Sequence, residues 1–186
     1  MKTMSVQRFA IAQFGTRLGT RLEGEHAREC LLAALRSLPP NGQLVVTLEG
    51  LEVLSTSFSD EMVARAYHVL VSGELGERTM VIETPQLELA EGIDVKLAQR
   101  KLAMLCRAAG TWTILGFHTP AMDETLRLIL EKGTTTAREL ADELGLQMSA
   151  CVNRVARLAQ LRLIRREKIG MKGPQDIYAL HSILQA

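Results

Sequence analysis

Aromatic side chains make up only 4% of this 186-residue chain. A core of ordinary size must therefore be filled by Leu, Val, Ile, Ala and Met, which the 47% hydrophobic content supplies. Cysteine is as scarce. Cys30, Cys106 and Cys151 lie far apart with no CxxC pair, which argues against a disulfide framework or a zinc site and for reduced, partly buried thiols. His26 and Cys30 stand four apart on an expected helix and together present two metal ligands, but no second ligand pair accompanies them, so no metal and no other cofactor is expected. No apolar run approaches the ~18–20 residues of a membrane span. The N-terminal Met-Lys-Thr-Met-Ser-Val-Gln-Arg lacks the apolar stretch of a signal peptide, so the expected location is the cytoplasm, with no membrane partner. Catalytic signatures are missing too: there is no GxSxG elbow, no GxxxxGK[ST] loop and no HExxH. Thr56, Ser57, Ser59, Asp60 and His68 supply hydroxyls, a carboxylate and an imidazole, but nothing in their spacing builds a catalytic set, and no enzyme is expected.

Net charge is +1, which by itself points to no partner. Its distribution says more. Residues 1–118 carry 12 basic and 13 acidic side chains, whereas Cys151 to Gly173 holds seven Lys/Arg (Arg154, Arg157, Arg162, Arg165, Arg166, Lys168, Lys172) against the single acid Glu167. A positive field confined to one segment is the electrostatic footprint of a polyanion contact.

Hydrophobic periodicity divides the chain near Phe117-His-Thr-Pro-Ala-Met, giving an α/β domain over 1–117 and a small α+β domain over 118–186. In the first, Val6–Phe14 predicts a strand, and Gly15, Gly19 and Gly24 predict breaks. Residues 25–38 predict a helix stopped by Pro39-Pro40, and Leu44–Leu48 a buried strand. A polar loop is expected at 55–59, a helix over 60–70 and a strand over 79–84. A helix over 93–109 and a strand over 112–117 complete the expectation. In the second domain, residues 122–131 predict a first helix with Thr119-Pro120 as its start signal. Ala137, Leu140, Ala141 and Leu144 place small and apolar groups on one face of a second helix, and Gly145 suits a left-handed turn. Ser149 is the expected N-cap of a third helix that buries Val152, Val155, Leu158 and Leu161. Its other face would show Gln147, Ser149, Ala150, Asn153, Arg154 and Arg157, side chains able to donate to base edges or phosphates. Leu161–Glu167 and Ile177–Leu180 read as two strands, joined by a flexible basic loop with Lys168, Lys172 and a Gly170/Gly173 tip.

Two resemblances sharpen this. The stretches Thr16-Arg-Leu-Gly-Thr-Arg-Leu-Glu-Gly and Gly50-Leu-Glu-Val-Leu-Ser-Thr-Ser-Phe-Ser-Asp-Glu-Met resemble the STAS-like domain family, which is similar to the STAS fold of sulphate transporters and anti-sigma-factor antagonists. In those antagonists a strand runs into an Asp-Ser pair at a helix start, and the Ser is phosphorylated by a partner kinase. Ser55 stands at the Asp position here and Thr56 at the Ser position, so the resemblance implies a switch at Ser55, Thr56 and Ser57 and a regulatory protein partner; the residues alone favour the plainer reading, in which Ser55, Thr56, Ser57 and Ser59 cap the helix starting near Asp60.

The order Arg-Glu-Leu-Ala, Leu-Gly-Leu, Val-Ala-Arg-Leu, Leu-Ile-Arg, Gly-Pro, Tyr over about residues 120–183 resembles bacterial winged helix-turn-helix domains of the MarR and IclR type. That implies a DNA-binding transcriptional regulator contacting double-stranded DNA through Gln147, Ser149, Asn153, Arg154 and Arg157, with Arg165, Arg166, Lys168 and Lys172 on phosphates or the minor groove. One such module grips few base pairs, so a homodimer on a palindromic site is expected. Winged helices also serve as protein-docking modules, and a partner-switching regulator is the alternative.

Overall fold

The computed structural model describes residues 4–184. The chain is mixed α/β and separates into two compact units, one ending at His118 and one beginning at Thr119. Among the described residues no helix is long and apolar enough to cross a membrane.

The first unit is built on five strands: β1 (Val6–Ala10), β3 (Gln43–Thr47), β5 (Thr79–Thr84), β6 (Ala103–Ala108) and β7 (Thr111–Gly116), in the order β1-β3-β5-β6-β7. The first four run parallel and β7 returns antiparallel to β6. The parallel pairs are joined by crossovers carrying α1 (Arg21–Ser37), α2 (Thr56–Ser59) with α3 (Arg65–Ser72), and α4 (Glu91–Gln99), the connection parallel strands require. A small pair of parallel two-residue strands, β2 (Arg17–Leu18) and β4 (Val53–Leu54), precedes α1 and α2. Alternate strand residues Leu44, Val46, Met80, Ile82, Met104 and Cys106 are fully buried, as are Ala27, Leu31 and Leu35 of α1 and Phe58, Met62 and Leu70 of the α2–α3 segment. This is the aliphatic core that a chain poor in aromatics has to build.

Four sequence expectations fail in this unit, each for a local reason. The strand expected over Val6–Phe14 stops at Ala10, and Ile11–Phe14 forms a 3₁₀ turn that still buries Ile11. Gly24 does not break the chain but lies inside α1, which begins at Arg21: Thr20 and Glu23 form a reciprocal capping box there. Gly24 is tolerated because a Cβ at that position would come within 2.9 Å of Glu61 Cβ. Residues 55–59 are not a loop, since Ser55 caps a helix that starts at Thr56 and passes through a π turn, Asp60–Ala64, into α3. The helix expected over 93–109 is α4 followed by β6. It ends because Lys101 takes a left-handed conformation (φ 55°) and the Leu102 N–H bonds the Leu97 carbonyl, a helix stop made without glycine.

The second unit holds α5 (Pro120–Lys132), α6 (Ala137–Leu144), α7 (Met148–Gln160) and an antiparallel sheet of β8 (Thr134–Thr136), β9 (Ile164–Lys172) and β10 (Gln175–Ser182) in the order β8-β10-β9. Thr119 caps α5 with Pro120 behind it, and Thr136 with Glu139 forms a second capping box on α6. Its core joins Leu126 and Ile129 of α5, Leu140 of α6, and Cys151, Val155 and Leu158 of α7 to Leu161, Leu163, Ile164 and Leu180.

Candidate nucleic-acid interface

Between α6 and α7 the chain turns at Gly145, which adopts φ 63° and returns its N–H to the Ala141 carbonyl. Leu146 N–H bonds the same carbonyl, and α7 starts two residues later. The expected cap at Ser149 is displaced: Gln147 is the N-cap residue, makes no side-chain cap, and Ser149 lies in the first turn. The inward face also differs from expectation at one position. Cys151 is buried, its thiol 3.2 Å from the Ala137 carbonyl, whereas Val152 is 46% exposed. Cys151, Val155, Leu158 and Ala159 form the inward stripe; of the expected Val152, Val155, Leu158 and Leu161, only Val152 is not buried.

Gln147, Met148, Ser149, Ala150, Val152, Asn153, Ala156 and Gln160 are exposed. Arg154 is turned away from that face. Its Nη1 donates to Glu124 Oε2 at 3.3 Å and to the hydroxyl of the fully buried Thr125 at 3.3 Å, so its guanidinium binds α7 to α5. Arg154, expected at a base contact, stands by its helical position on the shoulder that packs against α5. Arg157 is half-buried and donates to Gln160 Oε1 at 2.9 Å.

After α7 the chain reverses at Arg162, left-handed at φ 61°, with Leu163 N–H on the Leu158 carbonyl. β9 and β10 then form a long hairpin whose turn is Gly173-Pro174, Gly173 supplying the positive φ that a two-residue hairpin loop needs. Lys168 and Lys172 are strand residues of β9, not members of a flexible loop. Cross-strand pairing extends to Lys172↔Gln175, with one irregularity opposite Ile177/Tyr178. Lys168 pairs with Asp176 at 2.6 Å, Arg166 stacks over the Tyr178 ring at 5.2 Å, Arg165 is half-buried and Lys172 is exposed. Ile169 and Met171 of β9 are also exposed, at 57% and 61%.

In the first unit, Ser55 is fully engaged as a cap. Its Oγ accepts from Phe58 N–H at 3.1 Å and donates to the Gly19 carbonyl at 2.7 Å. Thr56 is exposed, Ser57 half-buried and Ser59 buried. One turn on, the π turn puts Asp60 and Glu61 side by side, both nearly buried. Arg100 Nε reaches Asp60 at 2.9 Å, Arg21 touches both acids at 3.3–3.4 Å, and Arg28 and Arg65 close on Glu61. Burial pushes the Asp60 carboxyl up, and the hydrogen bonds and charges of Arg100, Arg21 and Lys96 outweigh it, holding the group below the usual carboxylate range. Burial likewise raises Glu61, and Arg28, Arg65 and Arg21 bring it below its ordinary value. A shallow cleft of about 250 Å³ opens at the C-terminal ends of β3, β5 and β6, lined by Thr47, Glu49, Glu83, Thr84 and Arg107, where Glu83 is ion-paired with both Arg8 and Arg107. No sequence motif marks this cleft, because its members come from three separate strands and the loops after them. Among the described residues no group of His, Cys, Asp or Glu is placed to hold a metal ion.

Compared with known proteins, the chain matches no family model, no curated protein and no solved structure.

Proposed function

We propose that the protein is a DNA-binding transcriptional regulator. In this reading the second unit is a winged helix-turn-helix module, with α6 and α7 as its helix pair and the β9–β10 hairpin as its wing, and the first unit is a STAS-like sensory or interaction domain. The observation that carries the reading is the succession of a left-handed turn at Gly145, an exposed polar face on α7 and a basic hairpin, Arg165, Arg166, Lys168 and Lys172, directly after it. That succession is what lays one helix in a major groove with a ribbon against the flanking phosphates. The role is non-enzymatic and cytoplasmic, the partner is double-stranded DNA, and the working form is a homodimer whose two modules address a palindrome.

Fluorescence anisotropy with a duplex carrying the protein's own upstream region, against a scrambled duplex over a salt series, tests it. The expected result is a preference for the native duplex and an affinity falling by about 0.9 log unit per log of salt for each phosphate neutralised. No binding to either duplex at about 10 μM, where non-specific contacts normally register, refutes it.

A second reading has its own support. Ile169 and Met171 expose apolar side chains on the hairpin, and Arg154 is committed to α5, features that suit a docking surface for a regulatory protein. The first unit would then act by partner switching, with the exposed Thr56 at the first residue of α2 as its modification site.

A further inference from the structure

Resting on the DNA-binding reading, we infer that α7 addresses A·T base pairs: Asn153 reads adenine, and Met148 and Val152 pack against thymine methyl groups. In the major groove guanine is recognised chiefly by Arg or Lys forking onto O6 and N7, adenine by Asn or Gln onto N6 and N7, and thymine by apolar contact with its methyl. The exposed side chains of residues 147–153 are Gln, Met, Ser, Ala, Val and Asn, with no cation among them. The first arginine beyond them, Arg154, is held by Glu124 and Thr125. Arg157, a full turn beyond Asn153, is half-buried and bonded to Gln160. The leading two turns of α7 therefore contain no guanine reader.

Their apolar members are placed to act together. Met148 and Val152 lie four apart, on one side of the helix one above the other, and are 42% and 46% exposed. Asn153 and Ser149 stand beside them at the same spacing, so a polar edge runs parallel to an apolar one. An adenine–thymine pair presents the same two chemistries side by side, an amide-matching edge on the purine and a methyl on the pyrimidine. The basic side chains of the β9–β10 hairpin supply the charge complementarity to phosphate that selects a duplex, and not an apolar protein surface, as the occupant.

The test is selection of the full chain on a pool of duplexes with a random 20-base-pair centre, followed by anisotropy on the enriched sequence with each thymine replaced in turn by deoxyuridine. Enrichment of A·T pairs, with about a fourfold loss (~0.8 kcal/mol) for each contacted methyl removed, is the expected result. Val152→Ser, at an exposed position, abolishes the thymine-over-uracil preference without changing the fold, and Asn153→Ala relaxes selection at one adenine. Enrichment of G·C pairs, or indifference to every deoxyuridine, overturns the inference while leaving the regulator reading standing. Failure to bind any duplex in the pool overturns both. A Val152→Ser variant that changes oligomeric state but not base preference also overturns it, and assigns the apolar edge to a second copy of the chain.

Discussion

Arg154→Ala separates a structural arginine from a DNA-contacting one. One nitrogen, Nη1, lies 3.3 Å from Glu124 Oε2 and 3.3 Å from Thr125 Oγ1, and the side chain is 25% exposed. Glu124 is 61% exposed, so its ion pair falls in the weak surface class of about 0.2–1 kcal/mol. The bond to Thr125 is charge-assisted and reaches a fully buried hydroxyl, which raises its value, but at 3.3 Å it sits at the long end of the range. Thr125 keeps its own bond to the Ala121 carbonyl at 2.9 Å, so truncation leaves no orphaned buried hydroxyl. Together with the lost packing of the arginine stem, the sum is about 1.5 kcal/mol. At a urea m-value of about 1–1.5 kcal/mol/M for a unit of this size, the midpoint falls by about 1 M.

Pulsed thiol labelling along a urea gradient, read peptide by peptide, reports each unit separately, because Cys151 is buried in α7 and Cys106 in β6. The expected outcome is a lower midpoint at Cys151, an unchanged one at Cys106, and duplex affinity within a few fold of the parent when measured without urea. An unmoved Cys151 midpoint accompanied by a large loss of affinity would show that Arg154 contacts DNA and that its tie to α5 is wrong.

Three further outcomes follow from the same contacts. Asp60 and Glu61 are held below their ordinary values of 3.8 and 4.5, so the stability they contribute is fully present above about pH 4.5 and is lost as the pH falls through the depressed folded values. Glu61→Gln therefore destabilises the first unit by about 2 kcal/mol near neutrality, between the exposed-pair and buried-pair cases, and the gap to the parent closes in acid; Trp112 fluorescence during denaturation measures both. Gly116→Ala is severely destabilising, by roughly 4 kcal/mol, since the added Cβ would sit 2.1 Å from the Leu102 carbonyl oxygen at φ 96°; a variant that folds with parental stability contradicts the packing of β7 on α4. Thiol reactivity of the native protein should be ordered, with half-exposed Cys30 fast, while buried Cys151 and Cys106, the latter pushed up to about 12 by burial, stay unmodified until unfolding.

What sequence reading recovers and what it misses follow one physical division. Leu44–Leu48 and Thr79–Thr84 are legible as strands because a buried strand needs a continuous apolar run, and Trp112–Phe117, at the sheet edge with only Leu115 buried, because its residues are aromatic, β-branched and apolar. The α6 turn is legible because a glycine marks it. The start of α1 carries a legible signal that expectation passed over, Thr20 with Glu23 three residues on, since three nearby glycines argued more loudly for a break. The helix end that escapes is that of α4; α7 ends where expected, at Leu161, and the two are closed alike. Each is closed by a left-handed residue with a long cationic side chain, Lys101 and Arg162, and each returns an N–H five residues back, Leu102 to Leu97 and Leu163 to Leu158. Nothing in residue type announces such a stop, because the cost of positive φ at a non-glycine is covered by the tertiary contacts of the strand that follows.

The same blindness shaped the candidate interface. An N-cap at Gln147 in place of Ser149 starts α7 two residues earlier and leaves the direction of every later residue unchanged. What expectation misplaced is one member of the inward stripe: Cys151, not Val152, faces the Ala137 carbonyl, and Arg154, three residues on, lies toward Glu124. Counting basic residues along Cys151–Gly173 finds a charged segment but cannot say which cations leave it. The geometry removes Arg154, ties Lys168 to Asp176 and stacks Arg166 on Tyr178. The exposed chemistry of α7 over residues 147–153 is consequently amide, hydroxyl and methyl rather than guanidinium. If the module binds DNA, phosphate attraction comes from the hairpin and base selection from uncharged side chains, so salt should change affinity far more than it changes preference among sequences. Measuring the specificity ratio at two salt concentrations checks that separation: a ratio that collapses as salt rises would place a cation at the base edges after all.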